Sequence, residues 1–143
     1  MNTKVQTVYI SDLSTQCQQS LFDARVPAGF PSPAADYKED RLDLNKHLIR
    51  HPAATFFVRA IGDSMIGAGI HCGDLLVVDR SLEARDKNVV IAAVNGELTV
   101  KRIRIRDKKI TLVPENESYC AQEVGGNVEF EVWGVVTSVI HEL

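Results

Sequence analysis

The sequence predicts a mainly β fold: a curled, barrel-like antiparallel sheet with one short helix and an extended N-terminal arm. Three observations carry this. From Thr55 onward, short runs rich in Val, Ile, Thr and Phe follow one another. Compact turn signals such as Gly73-Asp74 and Asn95-Gly96 separate them. Only Arg41 to Arg50 carries helical spacing. Many strands, short turns and one helix close most simply into an antiparallel curl.

The elements follow in order. Residues 1–28 carry scattered apolar positions (Val5, Val8, Ile10, Leu13, Leu21, Phe22, Val26), which suit a short extended or weakly helical arm and are too few for an independent core. Pro27-Ala28-Gly29-Phe30-Pro31-Ser32-Pro33-Ala34-Ala35-Asp36 holds three prolines and a glycine. Proline fixes φ and drives the preceding residue to extended geometry, so residues 29–40 read as an exposed linker that a protease cleft can thread. Residues 41–143 form the remaining domain. Its helix, Arg41 to Arg50, has Leu42, Leu44, Leu48 and Ile49 on a partial apolar face, Asp40 or Asp43 near its start and Pro52 beyond its end.

The strands are then Thr55–Ile61, Asp74–Asp79, Asn88–Val94, Glu97–Ile105, Lys109–Pro114 and Val128–Val139. The second is apolar through its middle, as expected for burial on both faces. Asn95-Gly96 is a two-residue hairpin turn, and Gly134 marks a bend or bulge in the last strand.

Composition narrows the function classes. A chain of 143 residues is long enough for one domain with a real core, and 45% hydrophobic with 24% charged residues is ordinary for a globular protein. A net charge of −3 argues against stable DNA binding by this chain, because phosphate neutralisation needs a basic surface. No stretch approaches the ~20 apolar residues that span a bilayer, and the N-terminus lacks the apolar core of a signal peptide. Cys17, Cys72 and Cys120 are odd in number and widely spaced, which fits free thiols in a reducing cytoplasm. His47 and His51 have i, i+4 spacing, but Pro52 follows at once and no adjacent carboxylate completes a metal motif; no metal and no cofactor are expected.

Two segments suggest chemistry. Gly62-Asp63-Ser64-Met65 follows a strand, with Gly67, Gly69 and Gly73 close behind. Such an uncrowded turn can present a serine nucleophile and converge backbone N–H groups on an oxyanion. The serine then needs a base. His71 is near in sequence but has no evident orienting partner. Lys101 lies in a strand on the same face as Thr99 and Ile103, so an apolar neighbour can draw it inward. Burial lowers a lysine's pKa, and the neutral amine can accept a proton. Taken singly, Ser64 also suits a connecting loop and Lys101 a solvent-facing strand position.

Gly62-Asp63-Ser64-Met65, Gly73-Asp74-Leu75-Leu76-Val77-Val78-Asp79 and Thr99-Val100-Lys101-Arg102, in that order, resemble the LexA/UmuD family of self-cleaving serine proteases. Phe30-Pro31-Ser32-Pro33-Ala34-Ala35-Asp36-Tyr37 and Gly96-Glu97-Leu98-Thr99-Val100-Lys101 are similar to the UmuD branch. The resemblance implies a LexA-type protease fold, Ser64 as nucleophile, Lys101 as base and an oxyanion hole at the amides of Asp63 and Ser64. It also implies a scissile Ala28–Gly29 bond, with Val26 in an apolar subsite. Further implications are a homodimer, cleavage stimulated by a RecA–single-stranded-DNA filament in the SOS response, and service of the trimmed form to a UmuC-like Y-family translesion polymerase subunit.

Rival readings fit less well. A LexA-like repressor needs a DNA-reading domain larger than the arm before Ala28. A signal-peptidase-like enzyme needs a membrane anchor. A subunit retaining Ser64 and Lys101 without activity is not separable by sequence. Arg102, Arg104 and Arg106 alternate with Ile103 and Ile105, as on a solvated strand face or a filament contact, and Trp133 suits the core or a dimer interface.

Overall fold

The computed structural model describes residues 2–12, 14, 18–22 and 39–143. Ala28, Gly29, the linker to residue 38 and Cys17 lie outside the described residues. The chain forms two compact units, residues 1–11 with 51–143, and residues 12–50.

In the larger unit, β1 (Lys4–Ile10), β4 (Thr55–Ile61), β5 (Leu75–Asp79), β6 (Val89–Val94), β7 (Glu97–Arg106), β8 (Lys109–Val113), β9 (Gln122–Val124) and β10 (Phe130–Ile140) make one antiparallel sheet. Its order is β1-β4-β5-β10-β6-β7-β8-β9. A bridge between Lys4 of β1 and Thr99 of β7 closes the first six strands into a barrel. Val58, Ala60, Met65, Leu76, Val78, Ile91 and Val100 are buried together, and Val5 and Trp133 pack against them. Val90, Ala92, Ile103, Leu112, Val124 and Val135 form a second buried cluster. Val100 and Ile103, three positions apart on β7 and so on opposite faces, serve different clusters, as strand alternation requires.

The expected strands recur nearly end for end. Leu76, Val77, Val78 and Asp79 of β5 are all buried, as a strand covered on both faces should be. Asn95 and Gly96 both have positive φ, 49° and 79°, as a type I′ hairpin demands. The register of β10 on β6 shifts between Val132 and Gly134. A Cβ at Gly134 would stand 2.7 Å from Val78 Cγ1, so the close approach of β5 requires glycine there.

The helix differs from expectation. In the smaller unit, β2 (Gln18–Phe22) pairs with β3 (Glu39–Asp43), and helix α1 covers only Leu44–Leu48. Residues 41–43 extend the ladder instead of starting the helix. The cap is Asp43, whose Oδ1 accepts the Asn45 N–H at 3.0 Å. Of the two forms expected for the arm, extended or weakly helical, Lys4–Ile10 takes the extended one: β1 runs beside β4 from Lys4–Ile61 to Ile10–Phe56.

Candidate functional site

Ser64 is set by the loop between β4 and β5. Gly62 turns the chain with φ of 100°. The Asp63 carbonyl accepts from Asn116 Nδ2 at 3.0 Å and the Ser64 carbonyl from the Glu115 N–H at 2.8 Å. The Glu115 carbonyl in turn accepts the Gly67 N–H at 2.8 Å. In a trans peptide the C=O and the next N–H point opposite ways. With the Asp63 carbonyl held by Asn116, the Ser64 N–H is therefore turned away from that segment. The Tyr119 hydroxyl donates to Asp63 Oδ1 at 2.5 Å, which holds the Asp63 carboxyl below the usual range.

Lys101 comes from the middle of β7, on the face it shares with buried Ile103, and is only 8% exposed. Its Nζ lies 3.0 Å from Ser64 Oγ. It also donates to Thr99 Oγ1 at 3.0 Å and to the Val100 carbonyl at 3.1 Å. Burial, with a smaller contribution from the Lys4 ammonium, lowers its pKa from 10.5 to about 8. A neutral amine has two N–H groups and one lone pair. Thr99 and Val100 accept the two N–H groups, and the lone pair is left for the Ser64 hydroxyl.

The site is also filled. The backbone N–H of Thr3 donates to Ser64 Oγ at 2.7 Å. The Thr3 carbonyl accepts from the Val100 N–H at 3.2 Å and from Thr99 Oγ1 at 3.1 Å. Thr3 and Ser64 have no solvent exposure. The start of the chain thus lies against β7 as an added strand, over the serine. Beside it a cleft of about 330 Å³ opens, lined by Asn2, Lys4, Leu98, Thr99, Lys101 and Gln122 among others.

Ser64 and Lys101 are therefore brought together from positions 37 residues apart, and Asp63 lies next to them in the same loop. The scissile pair Ala28–Gly29 lies outside the described residues. His71 is instead engaged with Asp74, its backbone N–H donating to Asp74 Oδ2 at 2.7 Å. His51 pairs with Asp79 at 2.6 Å. Arg102 pairs with Glu115, and Arg104 with Asp86 at 3.1 Å. Sequence reasoning missed two contributors. Thr3 gave no local signal, because its role depends on β1 closing the barrel. Thr99 shared the predicted face with Lys101 and was legible only as a neighbour.

Comparisons with known proteins show the family. The family profile described as peptidase S24-like matches residues 20–137. The chain is 51% identical to protein SamA of Salmonella typhimurium over 89% of this chain and 88% of SamA. It is 44% identical to protein MucA of Escherichia coli over 82% and 81% of the two chains. It is also 35% identical to the LexA repressor of Xylella fastidiosa over 81% of this chain but 54% of that protein.

Proposed function

Since the chain belongs to the peptidase S24-like family of SOS-related self-cleaving serine proteases, on its UmuD-type branch, we propose that Ser64 and Lys101 cut its own Ala28–Gly29 bond. The observation that carries this reading is the 3.0 Å approach of Ser64 Oγ to a lysine whose pKa burial lowers to about 8.

The chemistry follows from those groups. Neutral Lys101 takes the Ser64 hydroxyl proton as Oγ attacks the Ala28 carbonyl carbon. The amides of Asp63 and Ser64 receive the oxyanion. The C–N bond breaks, and the Lys101 ammonium returns its proton to the Gly29 nitrogen. Lys101 then deprotonates a water that attacks the acyl carbon, and its ammonium returns the proton to Ser64 Oγ as residues 1–28 leave. A small residue beside glycine lets the backbone come close to the serine. Val26 occupies an apolar subsite along the cleft.

Thr3 already occupies the backbone position over Ser64 that a scissile strand would take. Cleavage therefore requires an exchange of one extended strand for another. The strand that enters must keep Lys101 buried, so that its pKa stays low and the neutral amine stays within reach. A RecA–single-stranded-DNA filament stimulates the reaction by favouring the exchanged conformer, without supplying a catalytic group. The trimmed chain acts in the bacterial cytoplasm as a homodimeric accessory subunit of a UmuC-like Y-family translesion polymerase. The similarity to SamA and MucA, at 51% and 44% identity, supports the UmuD-type branch on which this role rests.

The test is incubation of the purified full chain at alkaline pH, with mass analysis of the products. A fragment beginning at Gly29, absent from Ser64→Ala, is expected. A persistent full-length chain, or a cut elsewhere, overturns the reading.

A further inference from the structure

Away from the serine, three metal-ligating side chains converge on one point of the larger unit. Asp74 ends the glycine-rich loop, His71 lies three residues before it, and His141 follows the end of β10. One donor atom from each lies within 4.8 Å of the other two. His141 Nδ1 is 2.5 Å from Asp74 Oδ1, and His71 Nδ1 is 3.8 Å from Asp74 Oδ2. The two imidazole rings stand 4.8 Å apart, tilted by 40°.

The backbone beneath these groups is fixed. The Asp74 N–H donates to the His71 carbonyl at 3.1 Å, and Asp74 Oδ2 accepts the His71 N–H at 2.7 Å. The Gly73 N–H donates to the Ala60 carbonyl, and the Ala60 N–H to the Asp74 carbonyl. His141 is held beside them by the pairing of Ile140 with Leu75. The Asp74 side chain is 3% exposed, whereas the rings of His71 and His141 are about half exposed. A buried carboxylate therefore sits below two rings that solvent can reach.

We propose that His71, Asp74 and His141 form a binding site for a late first-row divalent cation, of which Zn²⁺ is the natural probe. Two imidazoles and one carboxylate suit Zn²⁺, Ni²⁺ or Cu²⁺ and are poor partners for Mg²⁺ or Ca²⁺, which prefer oxygen. Three protein ligands leave a position for water in a tetrahedral shell. Ligation at ~2.0–2.2 Å in a tetrahedral shell sets donor atoms about 3.3–3.6 Å apart, so His141 must draw back from Asp74 while the wider separations close, and the exposed rings are free to make those movements. The carboxylate cannot wander, because its backbone contacts hold it. A bound ion would tie the end of β10 to the turn that leads into β5, at the foot of the loop bearing Ser64. This site does not depend on the protease reading. The i, i+4 spacing of His47 and His51, the pattern evident in the sequence, is not part of it.

The experiment is calorimetric titration of ZnCl₂ into tag-free full-length protein carrying Cys17→Ser, Cys72→Ser and Cys120→Ser, so that thiols do not compete. Ser64→Ala is added to prevent self-cleavage. One Zn²⁺ per chain is expected, with a Zn²⁺-dependent rise in melting temperature. His71→Ala and His141→Ala should each weaken binding by more than about tenfold, since losing even an outer partner of a metal ligand costs that much. Both rings are at the surface, so these variants should fold, and their melting temperatures without Zn²⁺ check that. The absence of saturable binding, or binding unchanged in His141→Ala, overturns the site.

Discussion

The backbone N–H of Thr3 is hydrogen-bonded to the Oγ of Ser64 at 2.7 Å, so the first strand of the chain closes the barrel and covers the nucleophile together. The same serine meets Lys101 Nζ at 3.0 Å. The cleft is thus held in a substrate-like arrangement by a segment that is not the scissile one.

Two substitutions at Thr3 should move self-cleavage in opposite directions. Thr3→Pro removes the N–H that reaches Ser64, and a hydrogen bond of this kind is worth ~0.5–1.5 kcal/mol. The strand should leave more readily, and cleavage at fixed pH should rise about fivefold. Thr3→Val removes a buried Oγ1 that has no hydrogen-bond partner among the described residues, while keeping its shape. Its strand should hold more tightly and cleavage should slow. Single-turnover rates from gel densitometry read both. If the two variants change the rate in the same direction, the exchange account is wrong.

The catalytic assignments predict a specific pattern of loss. Ser64→Ala should end cleavage, and so should Lys101→Ala. Lys101→Arg should not rescue it, because a guanidinium stays protonated. Measurable cleavage in Lys101→Arg would require another base.

Lys101 should also make stability depend on pH. Its folded pKa is lowered to about 8 from 10.5. Between those values the unfolded chain holds a proton that the folded chain does not, so stability rises with pH across that window. Below pH 8 the fold carries the whole cost, about 3 kcal/mol by this shift. Lys101→Met should therefore be more stable than the parent at pH 7 by up to about that amount. The advantage should shrink above pH 8 and vanish near 10.5. Denaturant midpoints at several pH values test this, and a constant difference would contradict it.

Gly67 should be sensitive although its φ is ordinary. A Cβ there would lie 2.7 Å from the Glu115 carbonyl oxygen. That residue's N–H holds the Ser64 carbonyl. Gly67→Ala should displace Glu115 and with it the serine. Since misplacement by ~1 Å can cost ~100-fold in rate, cleavage should fall at least about tenfold. Circular dichroism should show a retained β fold.

Much of this was legible in the sequence, and the reasons are local. The runs of β-branched residues, Asn95-Gly96 and Gly134 located β4 to β8 and β10, because turn chemistry and burial act within a few residues. Lys101 could be placed on a face with Ile103 by strand alternation alone. Its burial depends on neighbours across the sheet, so the residues alone leave it open and only the family resemblance points to it. Leu42 has helical spacing, so the pattern predicts a helix from Arg41, yet pairing with β2 takes residues 41–43 into a strand. β9 is not legible in the sequence because Gln122-Glu123-Val124 has no strand pattern of its own and is ordered by β8. The His71–Asp74–His141 cluster joins positions 70 residues apart, which only the β5–β10 pairing brings together.

The central claim is that Ser64 acts through a neutral Lys101, and the pH dependence of self-cleavage tests it most directly. First-order rates of appearance of the Gly29 fragment should be measured from pH 6 to 10, with folding checked at each pH. The account predicts a rise of about tenfold per pH unit that levels off near pH 8, where Lys101 loses its proton. A rate that is flat across this range, or that falls between pH 7 and 9 in the folded protein, would contradict it.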